Sequence, residues 1–434
     1  HRGCNHEGWA SHRACDVVPE AAHGSHVAGT IAALANNGIG VVGINPNGLL
    51  NLHIVRVFNA AGWAYSSTLV GALDECEAAG ANVINMSLGG SLKSRTEDKA
   101  FAAANGRGVL SIAAAGNDGN TRKSYPASYA SVVSVAAVDG NMNVADFSQQ
   151  NSSVELAAPG VHVKSTVPMG TGRDATTTVN GVDFPADGLD GTPLGNVSGA
   201  LVDCGIGDNA CPGGGGQICL IARGTIAFSD KVLACQAGGG AGAIIYNNVA
   251  GPLAGTLADV VTTIPSAGVS DTDGAAMLQQ LGSTANVAIF ATNYAYYDGT
   301  SMATPHVVGV AALVWSYNPA WTNDEIRGAL QATAIDLGVA GRDAAYGYGL
   351  VQAKAALDFL SAPPPVCTPT ESVETSCSDG LDNDCDGDVD AADSDCDTGG
   401  GGACTLLTKG ASCTVGSQCC SGNCKGKSGD KSCK

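Results

Sequence analysis

The chain has 434 residues, a formal net charge of −19 and 17 cysteines. Its length gives room for two or three domains, and its strong negative charge argues against nucleic-acid binding. So many cysteines favour disulfides and a secreted protein, and no apolar run approaches the roughly 18 residues that a membrane span needs.

Hydrophobic periodicity predicts strands that alternate with helices along the chain. This alternation indicates an α/β fold with a mostly parallel, helix-covered sheet. The predicted elements are, in chain order, the strand 52–57, the helix 67–79, the strand 83–86, the helix 96–104, the strand 109–113 and the helices 323–332 and 351–360.

Two motifs far apart in the chain carry a nucleophile and a base. In residues 299–306, Ser301 precedes an apolar run, with Pro305 in the predicted first turn, so Ser301 is expected at a helix N-terminus. In residues 23–30, His23 opens a run of small residues that predicts a closely packed helix. A serine hydroxyl needs a neighbouring base, and histidine has a suitable pKa for that role.

The order of His23 and Ser301 along the chain excludes some classes of serine hydrolase. A histidine upstream of the serine excludes the Ser-Asp-His order of α/β-hydrolases, and Ala303 rules out a G-x-S-x-G elbow. We interpret His26 and His306 as structural residues.

Two further segments have the composition of a substrate cleft. Asn117 ends the run Ala-Ala-Ala-Gly-Asn after a predicted strand, and its amide is a suitable donor to an oxyanion. Gly89 and Gly90 follow another predicted strand, and bare glycines let an extended peptide approach and pair with the backbone.

Together these motifs resemble the subtilisin-like serine proteases (subtilases) over roughly residues 20–165 and 292–360. The resemblance implies a secreted endopeptidase that acts through an acyl-enzyme, with Ser301 as nucleophile, His23 as base and Asn117 as oxyanion donor. It also implies a cis peptide at Tyr125-Pro126. The substrate-lining residues that it implies are Ser87, Leu88, Gly89 and Gly90 on one side and Ala114, Ala115 and Gly116 on the other.

The chain departs from the family before His23. Subtilases begin with a strand that carries Asp-Thr-Gly or Asp-Ser-Gly, whereas the 22 residues before His23 hold one aspartate, Asp16, without an apolar strand or the glycine. We therefore expect an N-terminally truncated chain whose triad aspartate lies upstream and which is nearly inactive by itself. The alternative is a non-catalytic extracellular binding protein on the same scaffold.

The segment around residue 37 also resembles part of a calcium-binding loop of the family. Subtilases build this site from backbone carbonyls and one asparagine side chain, with other ligands from upstream. The residues implied as ligands are Leu34, Asn37, Ile39 and Val41.

Residues 167–294 interrupt the subtilase pattern. The segments 218–224 and 240–248 resemble a protease-associated (PA) domain, an α+β module inserted before the catalytic serine of many secreted subtilases. The insert is interpreted either as a lid or exosite for protein substrates or as a tolerated surface insertion. Its cysteines are enough for two disulfides, whose pairing stays open: Cys204, Cys211, Cys219 and Cys235.

The cysteines outside the insert begin with Cys4 and Cys15, for which we predict a disulfide, since the spacing of the nearby histidines fits no standard zinc site. Cys76 is left free or with a partner outside the chain.

A different kind of sequence follows the Pro-rich linker 362–366. Residues 382–393 fit the D-x-D-x-D-G calcium-loop template, within an acidic module at 367–398 stapled by cysteines. The alternative is an unliganded acidic spacer. No organic cofactor is expected. The predicted calcium ligands are Asp382, Asp384, Asp386, Asp388, Asp390 and Asp393.

The tail, residues 399–434, holds six cysteines and resembles small disulfide-rich knottin-like proteins. So short a segment cannot build a sufficient core without disulfides. The resemblance implies the pairs Cys404–Cys420, Cys413–Cys424 and Cys419–Cys433.

The predicted organisation is therefore a catalytic domain of residues 1–166 and 295–361 that holds the insert 167–294, followed by the linker and two small modules. We expect a monomer whose partners are protein or peptide substrates.

Overall fold

The structure is a computed structural model that describes residues 19–58, 65–258, 260–362, 424–427 and 430–433. The chain divides into two compact units, residues 1–360 and 361–434. In the second unit, the described residues form an antiparallel hairpin in which Cys424 lies opposite Cys433. The predicted Cys4–Cys15 disulfide, the acidic loop 382–393 and most of the six-cysteine tail lie outside the described residues.

Helices and strands are both numbered in chain order. The helices are α1 Pro19–Ala32, α2 Ser66–Ala78, α3 Arg95–Gly106, α4 Phe228–Ala237, α5 Asp271–Leu278, α6 Thr300–Tyr317, α7 Asn323–Ala332 and α8 Ala353–Ser361. The strands are β1 Val83–Met86, β2 Leu110–Ala114, β3 Val132–Val138, β4 Val154–Pro159, β5 Val163–Thr166, β6 Gly172–Val179, β7 Val182–Phe184, β8 Asp187–Gly188, β9 Gly195–Asp203, β10 Ile218–Ala222, β11 Gly242–Tyr246, β12 Ser266–Val269, β13 Thr284–Thr292, β14 Tyr294–Tyr297, β15 Cys424–Lys427 and β16 Asp430–Cys433.

A parallel sheet carries the first part of the chain. Its order is β1-β2-β3-β4, and every residue of β2 and β3 is buried. Burial on both faces is typical of a parallel sheet that helices cover. Helix α6 is buried along most of its length and packs against all four strands and against α1. The predicted α/β fold with a parallel sheet is confirmed.

The insert forms a second sheet of its own. Its strand order is β13-β9-β10-β11-β12-β8-β6-β7, and β13 also pairs with β6, which closes the sheet on itself. Two disulfides, Cys204–Cys211 and Cys219–Cys235, lie within this region. The antiparallel pair β5–β14 stands where the chain leaves and re-enters the parallel part.

Most of the predicted elements form close to their expected bounds, but the strand predicted at 52–57 is wrong. Among the described residues no strand pairs with it, and Leu52 and Ile54 are 43% and 59% exposed. Alternating apolar residues do not form a strand without a hydrogen-bonded neighbour, because the backbone groups must be paired.

The expected start of the histidine helix is also wrong. Helix α1 begins at Pro19, so His23 is its fifth residue and not its first. Proline is favourable at a first helical position, where its missing N–H has no partner to lose.

Candidate active site

Ser301 is the second residue of α6 and lies at the edge of a cleft. The preceding Gly299 has a φ of +157°, and a Cβ at this position would lie 3.4 Å from Asn117 Nδ2. Glycine suits the turn before the helix because L side chains rarely adopt this backbone conformation. Ser301 therefore lies in the first turn of a helix, where the N–H groups of Thr300 and Met302 are already hydrogen-bonded.

Thr300 determines which way the Asn117 amide points. Both its backbone N–H and its hydroxyl donate to Asn117 Oδ1, at 2.9 and 2.8 Å. Within the described residues, no acceptor pairs with Asn117 Nδ2. The amide N–H₂ therefore remains available as a donor in a cleft that Asn117 and Ser301 both line.

Ser87 and Ser301 exchange two hydrogen bonds. Ser301 Oγ donates to the Ser87 carbonyl at 3.2 Å, and Ser87 Oγ donates to the Ser301 carbonyl at 2.7 Å. The second bond has a cause in the helix itself. Pro305 is the sixth residue of α6, beyond the first turn where it was expected, and it has no N–H for the carbonyl four residues earlier. The Ser87 hydroxyl donates to the Ser301 carbonyl in place of the N–H that Pro305 lacks. The sequence analysis missed this role.

The cleft has a volume of about 340 Å³. Of the predicted substrate residues, Leu88, Gly89, Gly90, Ala114 and Gly116 line it, whereas Ser87 is not among the lining residues and Ala115 is buried in the core. The further lining residues are Ser91, Asn117, Asp118, Arg122, Lys123, Ser124, Gln149, Thr300 and Ser301.

Gln149 shapes the wall of the cleft in a way that the sequence did not indicate. Gly116 has a φ of +111°, and a Cβ there would come within 1.8 Å of Gln149 Oε1. The side-chain amide of Gln149 donates to the carbonyl of Arg122 at 2.6 Å. Gln149 therefore connects Arg122 to the segment after β2 that carries Asn117. The peptide Tyr125-Pro126 is cis, as predicted.

His23 lies on α1, which packs against α6. Burial lowers the pKa of its imidazole, so the ring is neutral and able to accept a proton near pH 7. Among the described residues, no hydrogen bond joins this ring to Ser301 or to a carboxylate. Apo sites often have long catalytic contacts that tighten only with substrate.

His26 and His306, the other histidines of the two motifs, each have a ring nitrogen that contacts backbone carbonyl oxygens. His26 is fully buried, its Nε2 contacts the carbonyls of Val163 and Ala295, and burial lowers its pKa to about 4. His306 Nδ1 contacts the Met302 carbonyl at 2.8 Å. Both arrangements agree with structural roles.

In the loop that resembles a calcium site, the side chain of Asn37 forms an Asx turn. Asn37 Oδ1 accepts the N–H of Ile39 at 3.2 Å, and the Ile39 side chain is 70% exposed. Calcium binding at Leu34, Asn37, Ile39 and Val41, mostly through backbone carbonyls, stays a prediction.

Among the described residues, one group of metal-ligating side chains converges, Cys204, Cys211 and Cys219. These cysteines are in disulfides and offer no thiolate. No helix in the described part of the chain is long and apolar enough to cross a membrane.

Known proteins share this sequence and fold. The profile of the subtilase family, Peptidase S8, matches residues 5–183 and 225–349. An alkaline protease from Alkalihalobacillus alcalophilus is 32% identical over 334 residues, which are 77% of this chain and 54% of that protein. Subtilisin BL from Lederbergia lenta is 31% identical over 77% of each chain.

A solved structure is also similar. The psychrophilic subtilisin-like protease Apa1 from the Antarctic psychrotroph Pseudoalteromonas sp. AS-11 is 45% identical, with a TM-score of 0.62 over 78% of this chain and 84% of that one. The chain spans about half the length of several curated relatives that it matches. The profile match, the parallel sheet and the serine at the start of a buried central helix together show that this chain belongs to the subtilase family of serine proteases.

Proposed function

We propose that the protein is a secreted serine endopeptidase that hydrolyses peptide bonds of extended polypeptides. The observation that carries this proposal is the pair of hydrogen bonds that Thr300 donates to Asn117 Oδ1. These bonds leave the Asn117 amide N–H₂ as a donor in the cleft that Ser301 also lines. A merely structural asparagine would have no need to keep its N–H₂ free there.

In the proposed reaction, Ser301 Oγ attacks the carbonyl carbon of the substrate while the His23 ring takes the hydroxyl proton. The carbonyl oxygen becomes an oxyanion, which the Asn117 amide stabilises. The C–N bond then breaks, the imidazolium delivers its proton to the leaving amine, and water hydrolyses the remaining ester by the same steps. In this proposal, residues 88–90 lie on one side of an extended substrate and Ala114 and Gly116 lie on the other.

The second candidate is a non-catalytic protein that binds peptides in the same cleft. The observation that favours it is that no carboxylate of the described residues hydrogen-bonds to His23. An imidazole without such a partner lacks the group that orients its tautomer and stabilises its protonated form.

Incubation of the complete gene product with an unstructured polypeptide separates the two candidates. The peptidase generates new N-termini that a Ser301→Ala variant does not generate. The binding protein yields no new termini, while both it and its Ser301→Ala variant retain the peptide with equal affinity.

The remaining proposals concern the setting of this activity. Similarity to alkaline proteases and subtilisins, together with two disulfides, supports secretion, and the closed sheet of the insert supports its interpretation as a PA domain. We also propose a monomer, and calcium binding by residues 382–393. Calcium titration of the complete protein and of an Asp382→Asn/Asp386→Asn variant tests the last proposal, which is contradicted if both take up the same number of ions.

A further inference from the structure

The insert contacts the parallel part of the fold beside the segment that leads into Ser301. The turn 160–162, just before β5, is hydrogen-bonded twice to this segment. The Gly299 N–H donates to the Gly160 carbonyl at 2.8 Å, and the His162 N–H donates to Asp298 Oδ1 at 2.6 Å. The turn therefore holds the two residues that precede the nucleophile helix.

His162 has a backbone conformation with positive φ. Its φ is +53°, in the left-handed region that non-glycine residues seldom adopt. Such a conformation persists only where the surroundings hold it in place, and it is often found at functional sites. The contacts of the side chain show what holds it.

Those contacts come from the insert and from β14. His162 Nε2 lies 2.5 Å from Asp187 Oδ2, and the two side chains are 23% and 15% exposed. The imidazole stacks on the Tyr296 ring with centroids 4.0 Å apart and an interplanar angle of 11°. Lys164 lies 4.7 Å from the centroid of the same ring. Asp187 belongs to β8, so a carboxylate of the inserted sheet fixes a turn of the parallel part.

A second side chain of the insert acts on the same segment. Arg223, just after β10, interacts electrostatically with Asp298. Its Nη1 donates to Asn247 Oδ1 at 2.9 Å, which anchors the guanidinium within the insert. The direct contacts on the segment before Ser301 are those of the turn 160–162, and the insert reaches this turn through Asp187 and His162.

We propose that Asp187 is a positioning residue for Ser301, acting through His162 and Asp298. Asp187 fixes the His162 ring, and the ring keeps the turn 160–162 in its strained conformation. This turn then fixes the start of α6 and therefore the orientation of the Ser301 hydroxyl. This inference rests on the proposed function. It makes the insert a part of the nucleophile's support, in addition to any contact that it makes with substrates.

The test compares Asp187→Asn with Asp183→Asn in the complete gene product. Asp183 is an exposed acid on β7, which is separated from β8 by β6, and it serves as the matched control. For each variant, the rate at which a fluorophosphonate labels Ser301 is measured, together with kcat and KM on a peptide substrate and the unfolding temperature. We expect Asp187→Asn to lower the labelling rate and kcat about tenfold, since small misplacements of a reacting group are costly. KM and the unfolding temperature should match those of Asp183→Asn.

Two substitutions at residue 162 test the mechanism. Glycine adopts a φ of +53° without strain, whereas alanine does not. His162→Gly should label within about threefold of the wild type and should no longer respond to Asp187→Asn, while His162→Ala should label as slowly as Asp187→Asn.

Each outcome has a distinct meaning. Equal labelling of Asp187→Asn and Asp183→Asn overturns the positioning role and leaves the proposed function intact. A labelling rate that falls only in step with the unfolding temperature shows a purely structural contact and also overturns it. A wild-type protein that does not react at Ser301 overturns the proposed function, and the positioning role with it.

Discussion

The orientation of one side-chain amide decides what the cleft can do. Asn117 Oδ1 accepts both hydrogen bonds from Thr300, which leaves the Asn117 amide nitrogen without an acceptor among the described residues, in a cleft that Ser301 also lines. The sequence identified Asn117 through the motif around it. It could not identify Thr300 as the residue that orients the amide, because that contact joins residues 183 positions apart.

Replacing Asn117 with alanine should lower kcat about 10²–10³-fold, because one preorganised oxyanion donor contributes roughly that much. KM should change little, since the donor acts on the charge that develops after binding. Steady-state kinetics on a peptide substrate measure both constants. Asn141→Ala, at an exposed turn, is the control, and equal kcat values for the two variants would contradict the assignment.

The buried His26 should make stability depend on pH. Its pKa is lowered to about 4 by burial, so the unfolded chain binds a proton that the folded chain refuses between about pH 6.5 and pH 4. Stability is therefore complete above pH 6.5 and falls as the pH drops through this window, by on the order of 3 kcal/mol.

Urea unfolding at about pH 7.5 and about pH 5 measures this loss. The His26→Gln variant should show a smaller difference between the two pH values than the wild type. His53→Gln, at an exposed imidazole, should behave like the wild type. A His26→Gln protein with an unchanged pH dependence would refute the explanation.

At the scale of elements, the first turns of α6 depend on a hydrogen-bond donor from outside the helix. A proline six residues into a helix leaves a carbonyl without its usual partner, and here that carbonyl belongs to Ser301. The sequence showed the proline and the serine. It did not show that Ser87, at the end of β1, would reach this carbonyl.

Removing the Ser87 hydroxyl should destabilise the protein by about 1 kcal/mol, since the Ser301 carbonyl loses its donor. The double variant Ser87→Ala/Pro305→Ala should recover most of the loss, because an alanine at position 305 supplies the missing helical N–H. Denaturant unfolding of the wild type, both single variants and the double variant gives the coupling between the sites. Additive effects would show that the two residues do not share this carbonyl.

The same scale shows where sequence patterns succeed and fail. Strands β1 and β2 and helix α7 were predictable because their apolar spacing coincides with burial in the observed fold. The segment 52–57 has the same kind of pattern but no paired neighbour among the described residues. Whether an apolar run becomes a strand depends on a partner that the run itself does not specify.

For the whole molecule, the inserted sheet is a second core held by its own cross-links. Cys219–Cys235 joins β10 to α4, with a sequence separation of 16 residues. The sequence predicted two disulfides in the insert but left their pairing open, since four cysteines allow three arrangements. In the fold, Cys219 on β10 lies against Cys235 on α4, and Cys204 and Cys211 are joined seven residues apart.

Replacing Cys219 and Cys235 with alanine should lower the stability of the insert by about 3 kcal/mol, because a bridge over a loop of this length restricts the unfolded chain by that amount. Cys76→Ala is the control, at a free and half-buried thiol. Thermal unfolding followed by limited proteolysis locates the change. Equal unfolding temperatures for the two variants would contradict a stabilising role of the bridge.

The most direct test of the whole account is to locate the nucleophile chemically. The complete gene product is treated with a fluorophosphonate, and the modified residue is identified by tandem mass spectrometry. The account predicts a single adduct at Ser301 that is lost in Ser301→Ala and is formed far more slowly in His23→Ala. An unmodified protein, or labelling at Ser301 that is equally fast without His23, would contradict it.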